Sequence, residues 1–372
     1  MKRLVFAAGL LLCACAGHRD VPTIDISAAS PADLEEVATG WELLPVDESE
    51  IPMPAITDIK RYGDRTFIKS GRYPDTPKIY MMEGPRMAAV LDAYGRGPGE
   101  YQDAESFAYC EQSSELIIND RRFKGFRRYH VPDMKWISDE PVGRYLTQFE
   151  SLDAQRSVFP FDTEDGEPGT FVIWDHAKSE VADSMQTSFF SAALSQELHL
   201  TKTGDGSILF GLSAHETSLW RASASGFSLD AKAVLTPDAF GPKVWEASEF
   251  KPAYNAYAEV FRSGGTFGIG AEAPLVGKDG FAFWYAAGIG DEGMLWRLAV
   301  SAPQGNRAYS EIRLEGYPEA IQPSGVGGDN WCSVLLLDLL EDVPAPKGKI
   351  YPRLCELASQ GFETVLLFWS AI

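Results

Sequence analysis

Tyr94-Gly95-Arg96-Gly97-Pro98-Gly99-Glu100-Tyr101 is followed by Ser114-Glu115-Leu116-Ile117-Ile118-Asn119-Asp120 and then by Phe126-Arg127-Arg128-Tyr129. Three glycines around a proline admit the sharp turns and unusual φ values that other residues avoid, and Glu100 stands where it can accept backbone donors. No Lys-Ser/Thr follows and no helix start is offered, so the loop lacks what a phosphate cradle needs. Glu115–Ile118 is a run of strand length, Asn119-Asp120 punctuates it as a turn, and Gly125–Tyr129 is a second strand. Turn, strand, turn, strand is the grammar of the whole stretch.

The same grammar recurs outward in both directions. Thr66–Ile68, Ile79–Met82, Ala88–Leu91, Thr170–Trp174, Ser207–Gly211, Phe281–Tyr285 and Leu295–Val300 are short strand-like runs broken by Gly, Asp, Asn and Pro, with almost no helical period. Gly204-Asp205-Gly206 precedes SILFGL, and Gly277-Lys278-Asp279-Gly280 precedes FAFWYAA; Gly and Asp supply the positive φ of tight hairpins. Such units recur at roughly 45 to 60 residues, which predicts an all-β chain of about six blades, five or seven also fitting the spacing. One segment differs. Lys347–Gln360 places Ile350, Leu354 and Leu357 at helical spacing, with Gly361 as a C-cap, so a short helix is predicted around Pro352. It leads into Thr364–Trp369, the most strand-like stretch, expected to be buried and to close a ring beside N-terminal strands.

The 94–129 stretch resembles an NHL-type propeller repeat. Together with the Ile24-Asp25-Ile26 segment and a closing strand after a short helix, the chain resembles the six-bladed β-propeller lipoproteins of Bacteroides-type bacteria. The resemblance implies an all-β, six-bladed β-propeller whose ring is closed by N- and C-terminal strands in one blade. Two departures stand out: later blades do not repeat GxGPGEY, and Glu363-Thr364-Val365 occupies the place where the family often has Asn-Pro. The family supplies architecture and location rather than chemistry.

Lys2-Arg3 followed by the apolar run Leu4–Ala16 matches an export signal. Thirteen residues rise only about 20 Å as a helix, short of a bilayer's hydrocarbon core. Leu12-Cys13-Ala14-Cys15 resembles a lipobox, and the small Ala14 before it favours Cys15 over Cys13 as the lipidated cysteine; an ordinary secretory cleavage near Ala16 or Gly17 is the competing reading. The expected division is 1–14 signal peptide, 15–37 lipidated tether containing one early strand or docked turn, and 38–372 propeller. Membrane attachment would then be through the N-terminal lipid, in the cell envelope, with the outer membrane the expected site. Cys110, Cys332 and Cys355 remain, an odd number, and buried unpaired thiols are expected, a Cys332–Cys355 bridge being the alternative.

The formal charge of −20 becomes about −22 once Lys2 and Arg3 are removed, which argues against nucleic acid as a partner. His130, His176, His199 and His215 show no metal spacing, so no metal or cofactor is expected. No GxSxG elbow occurs; Ala222–Gly226 puts Ala224 where a nucleophile would stand, although a triad can still assemble from distant positions. Asp162, Glu164, Asp165 and Glu167 read as an exposed acidic turn, and Asn119, Asp120, Asp175 and Asn330 have the types a lactonase-like channel metal would use, without spacing that selects them. Nine tryptophans are the more suggestive feature. Trp220, Trp245, Trp284 and Trp296 are the candidate ligand-binding residues, expected in or beside turns, because aromatic faces stack on sugar rings and anchor interfaces. A lipid-anchored binding or interaction module for a glycan, peptide or envelope protein is therefore expected, the alternative being a metal-dependent propeller hydrolase or lyase.

Overall fold

The computed structural model describes residues 21–49, 56–71, 76–144, 146–161, 168–190, 200–213, 216–235, 244–245, 266–267, 272–290, 293–340 and 348–372. Alternation of apolar residues and tight turns builds antiparallel meanders. One four-stranded sheet runs Ala104–Cys110, Glu115–Asp120, Gly125–His130 and Lys135–Pro141; another runs Glu150–Ser151, Arg156–Phe161, Pro168–Asp175 and Glu180–Phe190. Two five-stranded sheets are the meanders 201–235 and 272–313, each with one extra parallel strand on its outer edge: Thr23–Ile24 on Gly226–Leu235, and Ser30–Asp33 on Gly305–Arg313. An eight-stranded sheet joins the meander 56–91 to Gly325–Gly327, Asn330–Leu336, Thr364–Ser370 and Gly40–Val46. First strands of successive sheets lie against one another, Glu150–Ser151 against 104–110 and 201–202, and 201–202 against 272–276 and 325–327. Meanders packed face to face about a common axis define a β-propeller.

The predicted strands fall inside observed ones, Ser207 standing one residue before Ile208–Ser213. Within the expected tether the structure has two early strands rather than one, and α1 (Leu34–Val37) follows them. The predicted helix is α2 (Ile350–Ser359), with Gly361 at φ +92° after it. Glu35 of α1 accepts the first N–H groups of α2 from Lys349 and Ile350, at 2.5 and 2.8 Å, so a side chain of one helix caps a sequence-distant second. The apolar C-terminal strand is buried at all seven positions, and it pairs antiparallel with Asn330–Leu336 on one side and with Gly40–Val46 on the other.

Packing between sheets is aromatic. Trp284, Trp331 and Trp369 form a T-shaped cluster, and Trp331 Nε1 donates to the Ala273 carbonyl at 2.7 Å, tying the 272–313 sheet to the C-terminal strands. Phe171 stacks on Phe210 at 4.1 Å between the 150–190 and 201–235 sheets. Each such side chain contributes about 1.5–3 kcal/mol by burial. The parallel junction within the eight-stranded sheet requires glycine. A Cβ on Gly325 would stand 1.9 Å from the Ile59 carbonyl oxygen, and one on Gly327 would stand 2.3 Å from Arg61 Cβ. Four strands carry a bulge, opposite Met81/Met82, Arg128/Tyr129, Ile173/Trp174 and Leu219/Trp220, and the first three of these strands are sheet edges. Bulges twist an edge away from pairing with another chain.

Candidate functional site

Along the axis the first strands carry charge where apolar residues would be expected. Lys60 and Glu150 are 5% and 1% exposed, and Lys60 Nζ donates to Glu150 Oε2 at 3.0 Å and to the Phe149 carbonyl at 3.4 Å. The Tyr62 hydroxyl donates to the same carboxylate at 2.9–3.0 Å, and the Ser151 N–H donates to its Oε1 at 2.9 Å. Burial and the neighbouring Glu150 charge push the Tyr62 phenol well above its ordinary value. Lys202 Nζ bridges onward to the Ser151 carbonyl at 2.6 Å. The Glu150 carboxylate is buried and receives donors from Lys60, Tyr62 and Ser151.

Off the axis lies an open cleft of about 440 Å³. Three hairpin turns and the chain's last residues form it: Thr203, Gly204 and Asp205 from one sheet with Arg221 behind them, Val276, Gly277 and Lys278 from the next, and Asp329, Ser370 and Ile372 from the eight-stranded sheet. The turns hold their shape through backbone bonds, Thr203 N–H to the Ser207 carbonyl and Gly277 N–H to the Gly280 carbonyl, each 2.9 Å, and Gly206 sits at φ +83°. Asp205 is fixed by the Thr203 hydroxyl at 2.6 Å, the Ser207 N–H at 2.9 Å and Arg221 at 3.1 Å, which together hold its carboxyl below the usual range. Arg221 is shared with Asp230 at 2.9 Å, so two carboxylates face one guanidinium. Lys278 and Asp329 have no ion-pair partner among the described residues. The lining of the cleft thus carries charges of both signs.

A third arrangement has the outline of a hydrolase triad. Ser157 Oγ lies 2.9 Å from His176 Nε2, and His176 Nδ1 lies 2.9 Å from Glu140 Oε2. With Nδ1–H donated to Glu140, Nε2 is left to accept the serine hydroxyl. Trp174 Nε1 and Arg128 also donate to Glu140, at 2.8 and 3.4 Å. Burial pushes the Glu140 carboxyl up, but the His176 and Trp174 bonds and the Arg128 charge outweigh it and hold the group below its ordinary value. Ser157 is fully buried within a sheet, so a substrate cannot reach its oxygen. This is a polar pin between the 104–141 and 150–190 sheets, and nothing in the residue spacing marks it.

Among the candidate tryptophans whose side chains are described, Trp284 and Trp296 belong to one cluster and Trp220 to another. Trp284 is buried in the aromatic cluster, Trp220 is half-buried against Phe210 and its neighbours, and Trp296 is half-buried against the core around Trp284. All three stand within strands, not turns; Trp245 belongs to the two-residue strand Val244–Trp245, paired with Thr266–Phe267. Asn119 donates to the Leu146 carbonyl and Ser106, Asp120 pairs with Arg127, and Asp175 with Lys178, so the channel-metal residue types do not converge. Among the described residues no group of three or more His, Cys, Asp or Glu is arranged to hold a metal ion. Cys110 and Cys332 are buried free thiols, whereas Cys355 is a free thiol exposed on α2, a departure from the expected burial; no Cys332–Cys355 bridge forms. The GxGPGEY loop is structural. Gly97 N–H donates to Glu100 at 2.7 Å, the Tyr101 hydroxyl bonds the Pro77 and Leu91 carbonyls, Tyr129 bonds the Gly99 carbonyl, and Trp136 packs on Gly99. Cys13, Cys15, the 162–167 acidic turn, His18, His199 and His215 lie outside the described residues.

No family model matches the chain, and no curated protein matches it by sequence. Among solved structures it superposes on a Bacteroides fragilis protein classed as a candidate exported protein, with a TM-score of 0.63 at 13% identity over 93% of this chain and 99% of that one. A DUF4221 family member from Bacteroides vulgatus superposes with a TM-score of 0.46 at 10% identity, over 90% and 96% of the two chains, too loosely to carry an argument. Likeness at such identity establishes the shared fold alone.

Proposed function

We propose that the chain is a lipid-anchored cell-envelope protein, a six-bladed β-propeller that works as a binding module through the off-axis cleft. Dividing the eight-stranded sheet at its parallel junction, Gly325–Gly327 against Ile59–Arg61, leaves two four-stranded units beside four other meanders, which supports a count of six. Pairing of Thr364–Ser370 with Gly40–Val46 supports ring closure by both chain ends. The lipobox-like Leu12–Cys15 supports the anchor at Cys15, and the outer membrane is the expected site; the exported class of the Bacteroides fragilis protein fits an envelope location.

The observation that carries the binding role is the contrast between the two central features. The axis is occupied by the buried Lys60–Glu150–Tyr62 network, while the cleft is open and lined by rigid turns with charges of both signs. Rigid, mixed-polarity concavities suit recognition of a polar ligand such as a glycan or peptide. Two measurements test the reading. Replacing Cys15 with Ser is expected to abolish lipid labelling and membrane association while Cys13→Ser leaves both intact; normal labelling of the Cys15 variant refutes the anchor. Glycan and peptide arrays probed with wild-type protein and with a cleft-filling Gly204→Phe variant are expected to show signals that the variant loses. Signals unchanged by Gly204→Phe refute the cleft as the binding surface.

A further inference from the structure

We propose that the cleft takes a short peptide with both termini free, its ammonium directed to the Asp205 and Asp329 carboxylates and its carboxylate to Lys278. The inference rests on the reading of the cleft as the binding surface and names what it selects. Asp205 and Asp230 share one guanidinium, so the Arg221 group carries excess negative charge into the cleft. Asp329 adds a second carboxylate, and it faces this group closely enough that a Cβ on Gly204 would lie 3.6 Å from Asp329 Oδ2. Lys278, from the neighbouring sheet, supplies the opposite sign within the same lining. Both Lys278 and Asp329 stand on exposed hairpin turns and make no ion-pair contact among the described residues, although the Asp329 charge is felt by Arg221. A ligand with one sign only would meet repulsion from the like charge in the lining; a neutral sugar would leave both charges unanswered. A zwitterion answers both, and about 440 Å³ holds a peptide of a few residues. Each of the three turns carries glycine, Gly204, Gly277 and Gly328, which leaves room for the peptide backbone.

The test is ligand-detected NMR on the full chain with triglycine, N-acetyl-triglycine, triglycine amide and methyl β-glucoside as probes. Triglycine is expected to bind, and each capped form to bind about fivefold or more weakly, the factor typical of one half-exposed charge contact. Asp329→Asn is expected to remove the discrimination against the acetylated form, and Lys278→Gln the discrimination against the amide. Both residues are exposed and unpaired, so folding is unaffected, which a thermal melt checks. Capped and free peptides binding equally, or discrimination surviving both substitutions, overturns the proposal. Glucoside binding that Gly204→Phe abolishes, without triglycine binding, overturns the zwitterion while leaving the cleft a binding surface; absence of binding by every probe overturns the zwitterion and counts against the cleft as well.

Discussion

The Lys60–Glu150 pair allows a test of what a buried charge does on a propeller axis. At 3.0 Å and an effective dielectric near 20, the attraction is roughly 5 kcal/mol before the desolvation of both groups is subtracted. Breaking such a pair from one side leaves an uncompensated buried charge, at about 3–5 kcal/mol. Glu150→Gln should reach that range, because Lys60 then keeps only neutral acceptors. Lys60→Met should cost somewhat less, since the Tyr62 hydroxyl and Ser151 N–H still serve the carboxylate. The double variant keeps a glutamine oxygen for Tyr62 and removes both charges, so its loss should be about 1–2 kcal/mol, far below the sum of the singles. Urea unfolding followed by tryptophan fluorescence measures all four proteins, with a constant slope confirming that only stability has changed. Losses that simply add, or a Glu150→Gln variant within about 1 kcal/mol of wild type, would refute the assignment of this pair as a coupled buried unit.

Deleting Thr364–Ile372 removes a strand buried at every position, so the truncated protein should be insoluble or molten; near-native melting would show that the strand does not close the ring. Gly325→Ala places a methyl group against the Ile59 carbonyl and should lower the unfolding free energy by about 1–3 kcal/mol or more, measured by the same urea titration. Glu140 has a folded-state pKa below its ordinary 4.5, so it stabilises the protein above that pH and the contribution is lost as pH falls through the lower folded value. Between pH 5 and pH 2 the melting temperature of Glu140→Gln should therefore fall less steeply than that of the wild type; parallel curves would contradict the assignment.

Strands were legible because short apolar runs between Gly, Asp and Asn turns have one physical reading, and the α2 helix because Ile350, Leu354 and Leu357 share a face ahead of Gly361. Other turns were hidden: Ser114, Lys124 and Met134 occupy left-handed conformations at φ 54°, 59° and 51°, which residue type does not announce. The cleft was half legible. Its turns 204–206 and 277–280 stand out as glycine-rich hairpins, but their meeting with Asp329 is a matter of ring geometry, which local sequence does not encode. Tryptophans are ambiguous for a related reason, since a large aromatic residue in a strand looks the same in sequence whether its face meets a ligand or, as with Trp284, the neighbouring sheet. The Ser157–His176–Glu140 contact joins three strands from two sheets, beyond the reach of any spacing rule.

The stretch from Thr23 to Val46 touches three successive sheets in turn, along the outer strand 226–235, then 305–313, then the C-terminal strand 364–370. It behaves as a girdle, and this fixes how the molecule would carry a mechanical load. A pull from the N-terminal side of Val21 meets two residue pairs at Thr23–Ile24 before it meets four at Ser30–Asp33, and only then the seven that join Gly40–Val46 to the strand Thr364–Ser370. Force is therefore taken up in graded steps, the weakest first, and the early strands can peel and re-dock as a shock absorber while the wheel behind them stays whole.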